Sequence, residues 1–243
     1  MCGRFVSAQA PDQVAAYFGA VLDETLLAPN YNVAPTNDIY AVVLRPDGRH
    51  LTTFHWGLIP SWAKDAKIGM KMINARSETV LEKNVFKGPL KKKRCIVPMD
   101  GFYEWKAPGP GSPLGPKGKP VKQPLFIHRT DGEPLAIAGV WESWAPPDAA
   151  EGERLYSATL FTTAANEDMA PVHDRMPVIL PASAWDTWLD PDNNDLELVS
   201  GLLLPAPKGL LAMHEVSTEV NHVRNKGPHL IDPISAAAPS SLF

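Results

Sequence analysis

Short β-type runs separated by turn residues restrict this chain to folds in which strands dominate. Runs at 39–44 and 51–56 flank Arg45-Pro46-Asp47-Gly48, and runs at 124–128 and 135–141 flank Thr130-Asp131-Gly132-Glu133. Each pair predicts a β-hairpin, because Asp-Gly between two such runs favours a tight turn. Further strands are predicted at 95–105 and 155–163.

Helical patterns are few and short. Apolar periodicity predicts helices at 11–18, 75–82, 182–189 and 196–203. With 243 residues, 44% of them hydrophobic, the chain has enough apolar surface for one sizeable core. We therefore predict a β-rich α+β protein with one domain over residues 1–243.

Residues 106–124 interrupt this strand-rich pattern, because ten of these nineteen residues are Gly or Pro. Such a composition predicts a mobile loop. The loop is either a length-variable insertion between two strands or an extended recognition peptide, and we favour the insertion.

Cysteine usage and hydropathy argue against several classes of protein. Cys2 and Cys95 give neither a disulfide framework nor paired metal ligands, and the seven histidines show no HExxH spacing. No apolar run reaches the roughly 18 to 20 residues that span a bilayer, and the first residues lack signal-peptide character. We expect a cytoplasmic monomer without a membrane role, metal or cofactor.

Positive charge is concentrated in one stretch. The net charge is −4, yet residues 64–94 hold ten Lys and Arg against three acids, which leaves that stretch at +7 and the remainder at −11. Such asymmetry is expected when one face meets a polyanion. A solvated helix face is the alternative, and it is the better interpretation of Lys91-Lys92-Lys93-Arg94 taken alone.

Cys2 follows the initiator Met1, and aminopeptidases remove Met1 when the next side chain is small. The mature chain is then expected to begin with a 1,2-aminothiol, whose α-amine has a pKa of about 8 against about 10.4 for lysine. Such a group condenses with an aldehyde to an imine, and the thiol closes the imine to a thiazolidine. The alternative is a small apolar residue under a frayed terminus.

Candidate chemistry lies in four polar residues set among apolar neighbours, namely Asn74, Glu104, His173 and Arg175. Glu104 is either an outward-facing charge between the inward aromatics Tyr103 and Trp105, or a cleft carboxyl that exchanges protons near neutrality. His173 is either a structural histidine or a site residue. Asn74 is predicted to cap the following helix, which is compatible with a role in a site.

Seven blocks occur in one order along the chain: Met1-Cys2-Gly3-Arg4-Phe5, Tyr31-Asn32-Val33-Ala34-Pro35, Trp56-Gly57-Leu58-Ile59-Pro60-Ser61-Trp62, residues 73–79, Gly101-Phe102-Tyr103-Glu104-Trp105, residues 173–177 and residues 221–230. Together they resemble the SOS response-associated peptidase family, also called abasic-site processing proteins, over nearly the whole chain. The resemblance implies a compact domain with a mixed or antiparallel barrel-like sheet and a few peripheral helices.

The resemblance also implies an activity. Cys2, freed of Met1, would link to the ring-opened aldehyde of an abasic deoxyribose in single-stranded DNA as a thiazolidine and so protect the lesion. By position, Asn74 would hold the α-amine or a sugar hydroxyl, Glu104 would relay protons, and His173 would act as acid and base at the opened sugar. Self-removal of Met1 and β-elimination at the lesion are further activities that this resemblance and the imine chemistry suggest.

The candidate DNA contacts are cationic and aromatic residues in or near the same blocks. Arg4, Arg76 and Arg175 are expected to bind phosphates. Trp62, and less strongly Trp56, would stack on bases, with a core tryptophan as the alternative for each. Asn32 and Pro35 are expected at the DNA as well. The protein would then be nucleoid-associated when bound, with weak sequence preference.

Two departures from the family pattern and two other functions remain open at this point. The loop at 106–124 is long for the family, and Asn30 stands where an arginine is frequent. An N-terminal-nucleophile hydrolase would use Cys2 against an amide and ignore DNA. A noncatalytic single-strand binder would need only the cations and tryptophans.

Overall fold

Strands make up most of the regular structure in this chain. The computed structural model describes residues 3–109, 114 and 118–234. Within them the strands are β1 (Phe5–Ser7), β2 (Ala20–Leu22), β3 (Asn30–Val33), β4 (Asp38–Arg45), β5 (Gly48–Trp56), β6 (Asn74–Arg76), β7 (Arg94–Met99), β8 (Gly101–Lys106), β9 (Gln123–Arg129), β10 (Leu135–Trp144), β11 (Leu155–Ala164), β12 (Arg175–Pro177) and β13 (Leu211–Glu215). The α-helices there are α1 (Pro11–Tyr17), α2 (Asn84–Lys92), α3 (Trp185–Leu189) and α4 (Leu196–Gly201), and 3₁₀ turns lie at Ala66–Lys71, Ser77–Thr79, Ala182–Ala184, Thr218–Asn221 and Pro228–Ile231.

The strands form two sheets. One is antiparallel, with the order β13-β9-β8-β1-β3. The other has the order β12-β11-β10-β7-β4-β5-β2, and β6 adds to it beside β11. Because β5 also pairs with β11, in parallel, β11, β10, β7, β4 and β5 close into a five-stranded barrel. The predicted β-rich α+β class with a barrel-like sheet and few helices is confirmed.

Alternation along the barrel strands divides the core in two. Residues from both sheets form the central cluster, which includes Phe5, Ile39, Trp56, Phe102 and Leu160. Residues from the opposite face of the barrel pack with the helices in the helix-side cluster, which includes Tyr40, Ala75, Phe161 and Trp188. The two-residue period of a strand that is buried on both faces produces this division. β1 therefore lies where the two sheets share a core.

The first predicted hairpin is confirmed and the second is wrong. β4 and β5 pair antiparallel up to Arg45 and Gly48. In contrast, β9 pairs with β8 and β13, whereas β10 pairs with β7 and β11. The turn at residues 130–133 therefore carries the chain from one sheet to the other. Turn residues predict that the chain reverses direction, but they do not determine which strand pairs with which.

The predicted strand at 95–105 is divided at Asp100. β7 belongs to the barrel and β8 to the five-stranded sheet. The Asp100 carboxylate accepts hydrogen bonds from the backbone N–H of Ala8 at 2.6 Å and of Gln9 at 3.1 Å, which ties the end of β1 to this switch. Gly101 is required there, because a Cβ would lie 2.6 Å from the Ile127 carbonyl oxygen.

Three predicted helices are confirmed with small shifts, as α1, as the 3₁₀ turn Ala182–Ala184 with α3, and as α4. The helix predicted at 75–82 is wrong, because this segment begins in β6 and continues as the 3₁₀ turn Ser77–Thr79. Pairing of Ala75 with Phe161 of β11 buries it and overrides the helical pattern. Asn74 is thus a strand residue and not a helix cap.

A helix that the sequence pattern did not predict follows this segment. α2 contains Pro89, which normally argues against a helix interior. Burial of Phe86 and Leu90 in the helix-side cluster stabilises it. Tertiary packing therefore decides its conformation against local propensity.

The Gly/Pro-rich segment at 106–124 connects β8 to β9, which are antiparallel neighbours paired as far as Lys106 and Gln123. An insertion between two strands describes this position. Residues 110–113 and 115–117 lie outside the described residues, so mobility of the loop remains a prediction.

Candidate active site at the N-terminal strand

β1 carries the start of the chain past Glu104. Phe5 pairs with Phe102, and the Tyr103 N–H donates to the Arg4 carbonyl at 2.9 Å. In an antiparallel pair the next step of the register sets Gly3 opposite Glu104. Cys2, the predicted nucleophile, lies outside the described residues.

Glu104 faces inward from β8. It pairs with Leu125, and its neighbour on the same face is Phe102; both belong to the central cluster. The residue is only 4% exposed, and its Oε1 is shielded from solvent. The interpretation of Glu104 as an outward surface charge is therefore wrong, because the aromatics beside it point away from the central cluster. Tyr103 packs in a separate cluster with Val6 and Phe126.

Asn74 is positioned by β6 along the second half of β11. It pairs in parallel with Leu160 of the central cluster, whereas the next pair, Ala75 and Phe161, belongs to the helix-side cluster. Asn74 is therefore on the central-cluster face of its strand. Trp56 links this strand to β1, because its ring lies 5.1 Å from that of Phe5 and its Nε1–H donates to the Ile73 carbonyl at 3.0 Å.

His173 lies in the loop between β11 and β12, beside Val172, which packs on the central cluster. Its backbone N–H donates to the Met169 carbonyl at 3.0 Å. Ring Nδ1 accepts from the Arg175 N–H at 3.0 Å and lies 2.7 Å from Oδ1 of Asp174. Both contacts come from the two residues that follow His173, so its own loop holds the ring at Nδ1.

The three arginines predicted to bind phosphate differ in their surroundings. Arg76 is exposed and makes no side-chain hydrogen bond or ion pair with the residues that the structure describes. Arg4 is half-buried and donates from Nη1 to Oδ1 of Asn32 at 2.8 Å and to the Val220 carbonyl at 2.9 Å. Arg175, only 12% exposed, forms a bidentate ion pair with Glu78. A phosphate at Arg175 would have to compete with that carboxylate.

Glu78 is the partner that sequence reasoning missed, although it lies in the block of residues 73–79. Arg175 Nη1 and Nη2 donate to its two oxygens at 2.6 and 2.9 Å, and Nη2 also donates to the Thr162 carbonyl at 2.6 Å. These bonds join β12, β11 and the 3₁₀ turn after β6. The hydrogen bonds from Arg175 are the main reason that the pKa of Glu78 lies below its usual value.

Glu78→Gln is expected to lower the Tm near neutral pH by roughly 1 to 4 °C, because a half-exposed pair contributes about 0.2 to 1 kcal/mol. Since the pKa of Glu78 is lowered by folding, the ion pair stabilises the protein above the unfolded pKa of about 4.3 and is lost as pH falls through the folded value. Thermal unfolding of wild type and variant across pH 2 to 8 should therefore converge in acid. Glu82→Gln, which removes a nearby exposed acid, is the control, and a constant gap at all pH values would contradict the assignment.

The structure separates the two tryptophans. Trp62 is 67% exposed and two residues before the exposed Lys64, so its ring is accessible to a base. Trp56 is fully buried in the central cluster. The prediction that Trp56 stacks on DNA is wrong for this fold, because neither ring face is accessible. Its role is to hold Phe5 and the strand of Asn74 together.

The block that contains Asn32 and Pro35 leads from β3 toward β4. Asn32 is fully buried, so the prediction that it contacts DNA directly is wrong. Pro35 is partly exposed, and Thr36 after it has a φ of 72°, a left-handed conformation unusual for threonine. The Thr36 N–H donates to the Trp56 carbonyl at 2.9 Å, which fixes this turn on β5.

Trp105 is a neighbour of the site that sequence reasoning did not assign. It is partly exposed, the Arg4 guanidinium carbon lies 6.0 Å from its ring centroid, and its Nε1–H donates to Oδ1 of Asn221 at 2.7 Å. The sequence feature that could have identified Trp105 is its position next to Glu104, on the opposite face of the same strand. Arg4 is therefore held between β3, β8 and the segment after residue 218.

The lysine-rich segment, residues 64–94, does not form one face. Arg94 is buried and donates to main-chain carbonyls of α2 and of the chain around the end of α3. Lys93 pairs with Glu142. Lys64, by contrast, is exposed near Trp62. The interpretation of residues 91–94 as a solvated helix face is confirmed for Lys91 and Lys92, which are exposed at the end of α2. It is wrong for Lys93 and Arg94, which are structural cations.

Two further observations concern the described residues only. Among residues 3–109, 114 and 118–234, no helix is long and apolar enough to cross a bilayer. Over the same residues, no three His, Cys, Asp or Glu side chains are grouped as metal ligands would be.

The fold and site define a β-rich barrel protein whose N-terminal strand lies beside the buried Glu104. The strand that carries Asn74 and the loop that carries His173 pack on the same central cluster. Residues 1–223 match the family model described as "SOS response associated peptidase (SRAP)". The chain belongs to this family, as the order of its sequence blocks predicted.

Relatives align along most of the chain. Abasic site processing protein YoqW of Bacillus subtilis (strain 168) is 42% identical over 234 residues, which cover 96% of this chain and 99% of that protein. Abasic site processing protein HMCES of Gallus gallus is 36% identical over 252 residues, with 91% and 71% coverage. A crystal structure of a Bacteroides thetaiotaomicron protein is 26% identical, covers 96% of this chain and 99% of its own, and has a TM-score of 0.81.

Proposed function

We propose that this protein recognises abasic sites in single-stranded DNA and attaches itself to them covalently through Cys2 after loss of Met1. The observation that carries the proposal is the register of β1 on β8, which sets Gly3 opposite the buried Glu104. Gly3 is bonded to Cys2, and neighbouring Cα atoms are about 3.8 Å apart. The relatives named abasic site processing proteins support the choice of lesion.

The proposed reaction links an aminothiol to an aldehyde. The α-amine of Cys2 adds to the aldehyde of the ring-opened sugar, and the resulting carbinolamine loses water to give an imine. The thiol then adds across the imine, with sulfur bonding to carbon and the proton moving to nitrogen. One C–N and one C–S bond form, and one water leaves. The product is a thiazolidine.

The proton transfers in this reaction need groups that can both accept and donate a proton. Glu104 takes a proton from the incoming ammonium and returns it to the departing hydroxyl, since this buried carboxyl belongs to the residue opposite Gly3, which follows Cys2. His173, whose ring is held at Nδ1 by the residues that follow it, serves the sugar during ring opening. Asn74 orients the amine or a sugar hydroxyl from the neighbouring strand.

DNA is bound chiefly through its backbone and through stacking. Arg76 supplies an exposed guanidinium without a competing carboxylate in the described part of the chain. Arg4, which is half-buried and held by Asn32, adds a second cation. Trp62 supplies an exposed ring for a neighbouring base. Such contacts carry little base information, so the protein should bind many sequences and prefer a flexible single strand. Met1 removal by the protein itself and strand cleavage by β-elimination are secondary activities of the same site.

The deciding experiment mixes purified protein with a single-stranded oligonucleotide that carries one abasic site. Intact mass first establishes whether Met1 is absent. A complex that survives denaturation, forms only with the lesion and has the mass of protein plus DNA minus one water supports the proposal. Peptide acylation of Cys2 without any DNA adduct would favour the hydrolase, and reversible binding without an adduct would favour a noncatalytic strand binder.

Trp62→Ala is expected to weaken binding of an abasic single strand by roughly 5- to 150-fold, because base stacking on an aromatic ring contributes about 1 to 3 kcal/mol. Fluorescence anisotropy at constant salt would measure this loss. Leu204→Ala, which removes another exposed apolar side chain at a different surface, is the matched control. Equal affinities of wild type and Trp62→Ala would exclude a stacking role for this residue.

A further inference from the structure

Asn32 is a buried amide whose polar atoms are occupied by the protein itself. Its Oδ1 accepts from Arg4 Nη1 at 2.8 Å. Its Nδ2 lies 3.1 Å from the carbonyl oxygens of Val220 and His222, and 2.9 Å from that of Asn225. A fully buried side chain with these contacts acts on its neighbours and not on a ligand.

Two of the three carbonyls, those of His222 and Asn225, belong to one turn of the chain, and that of Val220 lies two residues before it. We call residues 222–226 the basic turn, because they contain His222, Arg224 and Lys226 and no acid. The hydrogen bonds from Asn32 Nδ2 hold the backbone of this turn against the protein interior. The side chains of His222, Arg224 and Lys226 are all exposed. The nearest acid before the turn, Glu219, contacts His229 at 3.2 Å.

Further bonds fix the basic turn to the N-terminal half of the molecule. The Tyr31 N–H donates to the Lys226 carbonyl at 3.3 Å, and within the turn the Asn225 N–H donates to the His222 carbonyl at 3.0 Å. Arg4 reaches the chain just before the basic turn, because its Nη1 donates to the Val220 carbonyl at 2.9 Å. Arg4 and the basic turn therefore share one buried support, and that support is Asn32.

We propose that Asn32 is a positioning residue that fixes Arg4 and the basic turn as one phosphate-binding wall beside the N-terminal strand. The partner of this wall is the backbone of the single-stranded DNA, so the inference rests on the proposed function. Positive charges that are held in place lose less conformational entropy on binding than free side chains do. Removing Asn32 should therefore release several phosphate contacts together, although Asn32 itself touches no phosphate.

The salt dependence of DNA binding distinguishes two roles for Asn32. A residue that positions phosphate-binding side chains changes the salt dependence, whereas a residue that only stabilises the fold does not. Each phosphate contact on a single strand contributes about 0.7 to the slope of log affinity against log salt. The probe is a single-stranded oligonucleotide with a tetrahydrofuran abasic analogue, which cannot form an aldehyde, so binding is measured without chemistry. Arg4→Ala, Arg224→Ala and Lys226→Ala should each lower the slope by about that amount.

Asn32→Ala is expected to lower the slope by up to about three times the change seen for Arg4→Ala, because it releases Arg4, Arg224 and Lys226 together. Adding Arg224→Ala to Asn32→Ala should change the slope little further, since the arginine is already displaced. Asn193→Ala removes a partly buried amide that donates to the Thr187 carbonyl at 3.3 Å on the helix side, and should affect stability alone. A lower Tm for Asn32→Ala with an unchanged slope, or fully additive slopes in the double variant, would overturn the proposal.

Two controls keep the test decisive. If Asn32→Ala does not fold, the surface variants Arg224→Ala and Lys226→Ala decide, and unchanged slopes for both would refute the phosphate-binding wall. If wild-type protein binds no single strand at all, the proposed function fails together with this inference. If wild type binds with a normal salt slope and the variants match it, only this inference fails.

Discussion

Replacing Cys2 with alanine is expected to abolish covalent attachment to an abasic single strand, with a loss of at least about 100-fold in adduct formed under conditions where wild type reacts fully. Alanine keeps an α-amine, so an imine can still form and hydrolyse. The thiol that converts the imine into a ring is gone, and an open imine does not survive denaturation in water. Reversible binding to the tetrahydrofuran oligonucleotide should remain within about threefold of wild type, because the phosphate contacts are intact.

The second cysteine provides the matched control. Cys95 is fully buried in the central cluster, and burial raises the pKa of its thiol, so the nucleophilic thiolate is suppressed. Cys95→Ala should form the adduct at the wild-type rate, with some loss of stability from the cavity left by the sulfur. An adduct that persists in Cys2→Ala and disappears in Cys95→Ala would refute the proposal. Intact mass of each variant shows whether Met1 has been removed before the comparison is made.

The sequence predicts local structure in this chain better than it predicts partners. The β4–β5 hairpin follows from its turn, because both strands belong to one sheet. The turn at residues 130–133 has similar chemistry, yet it joins strands of different sheets. The difference lies in which apolar faces meet in the core, and that depends on segments distant in sequence. β6 shows the same limit, since pairing with β11 converts a helical pattern into a strand.

The sequence indicates which residue types form the site, but it does not show which of those side chains are buried or which way they face. Glu104, Asn74 and His173 belong to segments that the fold brings onto the central cluster. Their blocks indicated the chemistry, but only the strand register shows that Glu104 faces inward. Asn32 and Trp56 lie in equally distinctive blocks and are buried supports. A sequence motif shows that a residue type is needed, whereas the contacts of the buried side chain show whether it holds another residue in place, as Asn32 holds Arg4.

Glu104→Gln is expected to slow adduct formation by roughly 10²- to 10⁴-fold, the usual contribution of a general acid and base. Glutamine preserves the volume of the side chain and can still form hydrogen bonds, but it cannot exchange a proton. Affinity for the tetrahydrofuran oligonucleotide should change little, because proton transfer is not part of binding. The loss should therefore appear in the rate at saturating DNA and not in the concentration of DNA needed for half-saturation.

The matched control for Glu104→Gln is Glu142→Gln. Glu142 is also a buried glutamate on a strand, but it pairs with Lys93 on the barrel. Loss of this pair should lower the Tm and leave the rate of adduct formation unchanged. If Glu104→Gln also lowers the Tm while its rate stays within tenfold of wild type, Glu104 is a structural acid. The proton transfers would then be assigned to His173, whose loop packs on the central cluster through Val172.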